Sequence, residues 1–72
     1  MIATYSEART ALSLVAPRLP TRSHEADSMA AILTGWARWE AYPTERRERL
    51  VAHAVERFNH HYLRAMLALE TT

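Results

Sequence analysis

The chain has no cysteine, a single glycine and three prolines among its 72 residues. Without cysteine there is no disulfide, no thiolate nucleophile and no sulfur ligand for a metal. One glycine leaves little material for the tight turns of β-hairpins, so turn chemistry argues against a strand-rich fold. Lysine is absent too, because all nine basic residues are arginine. Selection for planar, bidentate contacts explains that bias, and so does GC-rich codon usage. No stretch approaches the roughly 20 apolar residues that span a bilayer. The start, Ile2-Ala3-Thr4-Tyr5-Ser6-Glu7, lacks the cationic stretch and apolar run of a signal peptide, and the expected location is the cytoplasm. Glycine-rich phosphate loops, an elbow-like serine and facing carboxylate pairs are missing, so neither enzymatic activity nor a cofactor is expected.

What remains is rich in alanine, leucine, arginine and glutamate, all good helix formers. Pro17 and Pro20 bound one break and Pro43 marks a second, since proline disfavours helix at and before its own position. The expected fold is all-α and a single domain, 1–72, with helices over about 4–16, 23–41 and 44–70. A short N-terminal helix would precede an antiparallel helical hairpin whose C-terminal helix is long. A domain this small buries only about 60% of its unfolded surface, and with no disulfide it needs stabilisation from association. A homodimeric bundle is therefore expected.

Each helix carries its own signals. Thr4-Tyr5-Ser6-Glu7 is a capping box, followed by an apolar stripe of Tyr5, Ala8, Leu12, Val15 and then Leu19. The second helix opens near Ser23 with Glu25 and Asp27 at the favourable end of its dipole. Its residues Ala26, Met29, Ile32, Leu33, Trp36 and Trp39 share one arc. Thr44 is read as the N-cap of the third helix. There Val51, Val55, Phe58, Tyr62, Ala65 and Leu69 alternate spacings of four and three, the period of a coiled-coil seam. At about 39 Å that helix outruns the other two, so the seam should exceed its cover within one chain.

Five features bear on function. Arg46, Arg49, His53, Arg57, His60 and Arg64 lie on one edge of the third helix, a stripe suited to phosphates or to a carboxylate-rich protein surface. A solvated face is the plainer reading, because Glu45, Glu48 and Glu56 flank it. In the cluster Glu45-Arg46-Arg47-Glu48-Arg49, three arginines sit at the helix end whose dipole disfavours cations, which either an acidic partner or ordinary i,i+4 pairing accounts for. Leu63 and Leu67 project away from the seam, giving the end of the helix apolar surface on two sides. Phe58, Tyr62, Leu63, Met66, Leu67 and Leu69 are accordingly expected at a dimer interface. Trp36 reads as core. Trp39 borders a small-residue strip of Ser28, Ala31 and Gly35 that lets another helix approach, or Gly35 ends or kinks the second helix. Finally, His53, Glu56, His60 and His61 make a weak metal constellation, but a single helix offers too few ligands, and no metal site is expected.

The reading that joins these features is a non-enzymatic, homodimeric adaptor or inhibitor of a regulatory or defence protein, of the small helical kind that bacteria and phages encode. Its partner would present an acidic surface to Arg46, Arg47, Arg49, His53, Arg57, His60, Arg64 and Trp39. The alternative is a DNA- or RNA-binding regulator that uses the same stripe, although the nearly balanced charge, +1 overall, does not itself point to nucleic acid. Membrane binding is disfavoured by the acidic residues around the stripe and the lack of lysine-rich flanks.

Overall fold

The computed structural model describes residues 2–71, which form three α-helices: α1 (Tyr5–Val15), α2 (His24–Arg38) and α3 (Thr44–Glu70). Single 3-10 turns follow the first two, at Ala16–Arg18 and Trp39–Ala41. Each boundary has a local cause. Thr4 is extended, and its Oγ1 accepts the Glu7 amide at 3.1 Å, satisfying one free donor of the first turn. The other half of the capping box differs from expectation. The Thr4 hydroxyl donates to Glu7 Oε1 at 3.0 Å, so the glutamate holds the cap's side chain. Ser23 caps α2 by accepting the Ala26 amide at 3.3 Å.

Two boundaries correct the sequence reading. The cap position of α3 is Pro43, with ψ of 147° and no side-chain cap bond, and Thr44 is already helical. Pro43 supplies the extended geometry a cap requires, so threonine's hydroxyl is not called upon. The α-helical part of α2 ends at Arg38 and tightens into a 3-10 turn, after which Tyr42 takes ψ of 156°. The ring of a following proline forces that extended conformation. Gly35 lies inside α2 and does not end it.

The core is assembled from the stripes visible in the sequence. Ala8, Ala11 and Val15 of α1, Met29, Ile32, Leu33 and Trp36 of α2, and Ala54, Phe58 and Ala65 of α3 are buried together. Tyr5 meets Trp36 edge-on at 5.8 Å, a favoured aromatic geometry. Along the α2–α3 contact, Glu25 near the start of α2 meets His61 and Arg64 of α3. Trp36 near the end of α2 lines one depression with Arg47 and Val51.

The seam of α3 is better covered within the chain than helix lengths suggest. Ala65 is fully buried, and Tyr62, Met66 and Leu69 are half-buried against the core. Helix lengths leave out the segments between and before helices. Ile2 and Leu19 pack on the same core, and extended chain advances about 3.3 Å per residue against 1.5 Å in a helix. Phe58, expected at a dimer interface, is 0% exposed within the chain and offers a second chain no surface.

Asn59 went unmarked by the sequence patterns and is buried. Its Oδ1 accepts the Ile2 amide at 3.1 Å, and its Nδ2 donates to the carbonyls of Ile2 at 2.9 Å and Val55 at 3.0 Å. One side chain thereby ties the segment before α1 to α3, and burying it costs little because its bonds are made. The molecule is elongated, 43 × 20 × 17 Å. It exposes 5180 Å², against about 4,600 Å² for a monomer of this mass. Among the described residues no helix is long and apolar enough to cross a membrane.

Candidate functional site

The basic stripe is exposed as its spacing requires: Arg46, Arg49, His53, Arg57, His60 and Arg64 all face solvent, while Arg47 is half-buried and has a contact within the chain. The stripe is not uniform. The Arg46 guanidinium stands 4.5 Å over the Tyr42 ring, a cation–π contact that gives this arginine a local role despite the unfavourable dipole. Arg64 Nε donates to Glu25 Oε1 at 2.9 Å. The His60 ring lies edge-on to that of His61, with centroids 5.3 Å apart. Among the described residues, no hydrogen bond or ion pair engages Arg49, His53 or Arg57.

Two of them, His53 and Arg57, border a groove of about 360 Å³ between α2 and α3. One bank is Ala31, Ile32, Gly35 and Trp39; the other is Leu50, His53, Ala54 and Arg57. The small-residue strip of α2 and the basic stripe of α3 are separate features along the sequence. Tertiary packing makes them two sides of one depression with an apolar floor and a cationic rim. Trp39 is half-buried at its edge, and its indole folds back over Gly35. A Cβ built on Gly35 would come within 3.3 Å of Trp39 Cζ2. Gly35 is therefore where α2 makes room for the indole, and an added methyl would press against the ring.

The apolar residues expected at a dimer surface divide into two groups. Phe58 belongs to the core, and Tyr62, Met66 and Leu69 are half-buried on it. Leu63 and Leu67 remain 52% and 60% exposed, and Leu14 of α1, which the sequence reading passed over, is 68% exposed. Leu14 borders a depression shared with Ile2, Ala11 and Tyr62, so α1 and α3 together present an apolar margin away from the α2–α3 groove.

The histidines also sort differently from their order along the chain. His53, Glu56 and His60 do not come together. His61 instead turns to α2, with Nδ1 2.6 Å from Glu25 Oε2, and the His24 ring lies edge-on to it at 5.7 Å. No spacing rule connects residue 25 with residue 61, so sequence reasoning had no signal for this cluster. Burial tends to raise the pKa of Glu25. Hydrogen bonds from Arg64 and His61, and their charges, outweigh that effect and hold the carboxyl below its ordinary value. A depressed carboxyl pKa stabilises the fold at pH values above the unfolded pKa of about 4.3, and the benefit is lost as pH falls through the folded value. Thermal melts between about pH 3 and 6 should show an acid-side loss of stability that is shallower in Glu25→Gln. Parallel acid limbs in the two proteins would rule out this contribution.

Set against known protein families, curated proteins and solved structures, the chain matches none of them.

Proposed function

We propose that the groove between α2 and α3 receives an amphipathic helix of a protein partner with an acidic flank, and that the chain acts as a non-enzymatic adaptor or inhibitor of a regulatory or defence protein. The observation that carries this reading is the convergence of Trp39 and the Ala31–Gly35 strip with Leu50, His53, Ala54 and Arg57 around one apolar floor. Helix-in-groove recognition uses such a floor for the partner's apolar anchors. Tryptophan and arginine at the rim are residue types enriched at energetic hot spots. Arg46, Arg49 and His60 extend the cationic side along α3, where they favour carboxylates and speed encounter. In this reading α2 and α3 form an antiparallel hairpin, and a second copy of the chain covers Leu63 and Leu67.

The test begins by capturing the partner from the native host and then titrating the purified partner against variants. Replacing Arg46, Arg49 and Arg57 together with alanine should weaken binding about tenfold or more while leaving helicity unchanged, because surface changes cost little stability. Trp39→Ala should weaken it further. Wild-type affinity in the triple variant would reduce the stripe to a solvated face. The competing reading, in which the stripe meets DNA or RNA, predicts affinity for nucleic acid that falls steeply with salt as counterions are released. Its weaker point is the exposed Glu45, Glu48 and Glu56 beside the stripe.

A further inference from the structure

We propose that His24, Glu25 and His61 form a binding site for a divalent transition-metal ion of the zinc class, which joins the start of α2 to α3. One donor atom from each of the three residues lies within 4.8 Å of the others. Two imidazoles and a carboxylate are a donor set suited to zinc, with a fourth position left to water. The objection that one helix cannot supply enough ligands disappears here, since α2 contributes two and α3 the third.

The geometry needs only small adjustments. His61 Nδ1 and Glu25 Oε2 are 2.6 Å apart, within hydrogen-bond distance. Ligand atoms about 2.0–2.1 Å from a tetrahedral ion sit about 3.3 Å from each other, so this pair must part by less than 1 Å as the ion replaces the hydrogen bond. His24 is exposed, its ring edge-on to that of His61, and its donor has to close in from within 4.8 Å. Metal-bound carboxylates are commonly oriented by a hydrogen bond to the other oxygen. Arg64 already does this, holding Oε1 at 2.9 Å and leaving Oε2 for the ion. The positive end of the α2 dipole and the Arg64 charge both lower affinity, but neither occupies a donor atom. The site lies at the opposite end of α2 from Trp39, so it is independent of the proposed groove.

The experiment is a set of thermal melts of the purified chain with excess ZnCl₂, with MgCl₂ and with chelator, together with visible absorption on Co²⁺ addition. Zinc should raise the melting temperature by about 5 °C or more, and Co²⁺ should give the d–d bands of a four-coordinate site. Magnesium should do neither, because it prefers an all-oxygen shell. His24→Ala, which removes an exposed side chain and should fold normally, should abolish both responses, whereas His53→Ala should retain them. The absence of a zinc response in the wild-type chain, or a response that survives His24→Ala, overturns the site. An equal response to magnesium does so as well.

Discussion

Phe58→Ala is expected to cost about 3–5 kcal/mol and to leave the chain close to unfolded. Phe58 is 0% exposed at the centre of a core that also contains Ala8, Ala11, Ala54 and Ala65. Alanine side chains have no rotamers with which to move into a cavity. The core around a truncated Phe58 can therefore collapse only through its larger members, such as Met29 and Ile32, or by moving backbone, which keeps the loss within that range. At roughly 0.05–0.15 kcal/mol per residue a chain of this length holds about 4–11 kcal/mol in all, so one substitution removes a large share. Melts followed by circular dichroism should fall by about 12 °C or more, given about 4–8 °C per kcal/mol for small domains. Phe58→Leu, which keeps most of the volume, should lose far less. The outcome also separates two roles for the residue: a side chain at a dimer surface would give a folded monomer when truncated, whereas a core side chain gives an unfolding chain. A folded, thermally robust Phe58→Ala protein would contradict the placement of this ring.

Changing Leu63 and Leu67 together to glutamate is expected to abolish self-association while leaving the monomer folded. Both residues are more than half exposed, so charge there stays in water and costs the monomer little. In a two-fold antiparallel contact between copies of α3 centred near residue 65, Leu63 of one copy faces Leu67 of the other. The same register sets His60 against Glu70, a pairing that is complementary rather than repulsive. Closed two-fold dimers are the commonest oligomers, and the elongated chain exposes more surface than its mass requires. The apolar patch is nevertheless small against the roughly 800 Å² per partner of a stable interface. The expected dimer is accordingly weak, in the micromolar range or above. Sedimentation of the wild-type chain over a concentration series should rise from the 8.3 kDa chain mass toward twice that value, and the double variant should stay at the chain mass. Wild-type protein that remains monomeric throughout the series would remove the second copy from the proposed function.

Where sequence reasoning succeeded, the information was local. The capping sequence at Thr4–Glu7, the dipole-matched Glu25 and Asp27 after Ser23, and the conformational demands of Pro17, Pro20 and Pro43 act within a few residues. They marked the three helices to within three residues at every end. Apolar periodicity likewise identified the buried faces of α1, α2 and α3, because a helix can bury only one side of itself. The same periodicity showed that Leu63 and Leu67 stand outside the seam. These features follow from 3.6 residues per turn and need no knowledge of the neighbours.

What the sequence left open depends on which faces meet and at what height. Helix lengths suggest a bare seam, but Ile2 and Leu19, outside any helix, also pack on the shared core, and only packing reveals their reach. Asn59 looks like one more polar residue on α3 until the chain before α1 is laid against it and its three hydrogen bonds form. Trp39 with Gly35 and Arg57 with His53 were legible as separate features of two helices, yet the groove between them exists only once α2 and α3 are docked in one register. The cluster of His24, Glu25, His61 and Arg64 is the clearest case, since its members are separated by up to 40 positions and obey no spacing. Periodicity determines which side of a helix is buried. The relative rotation and offset of two helices depend on how their side chains interlock, and that decided which charges and imidazoles came within reach of each other.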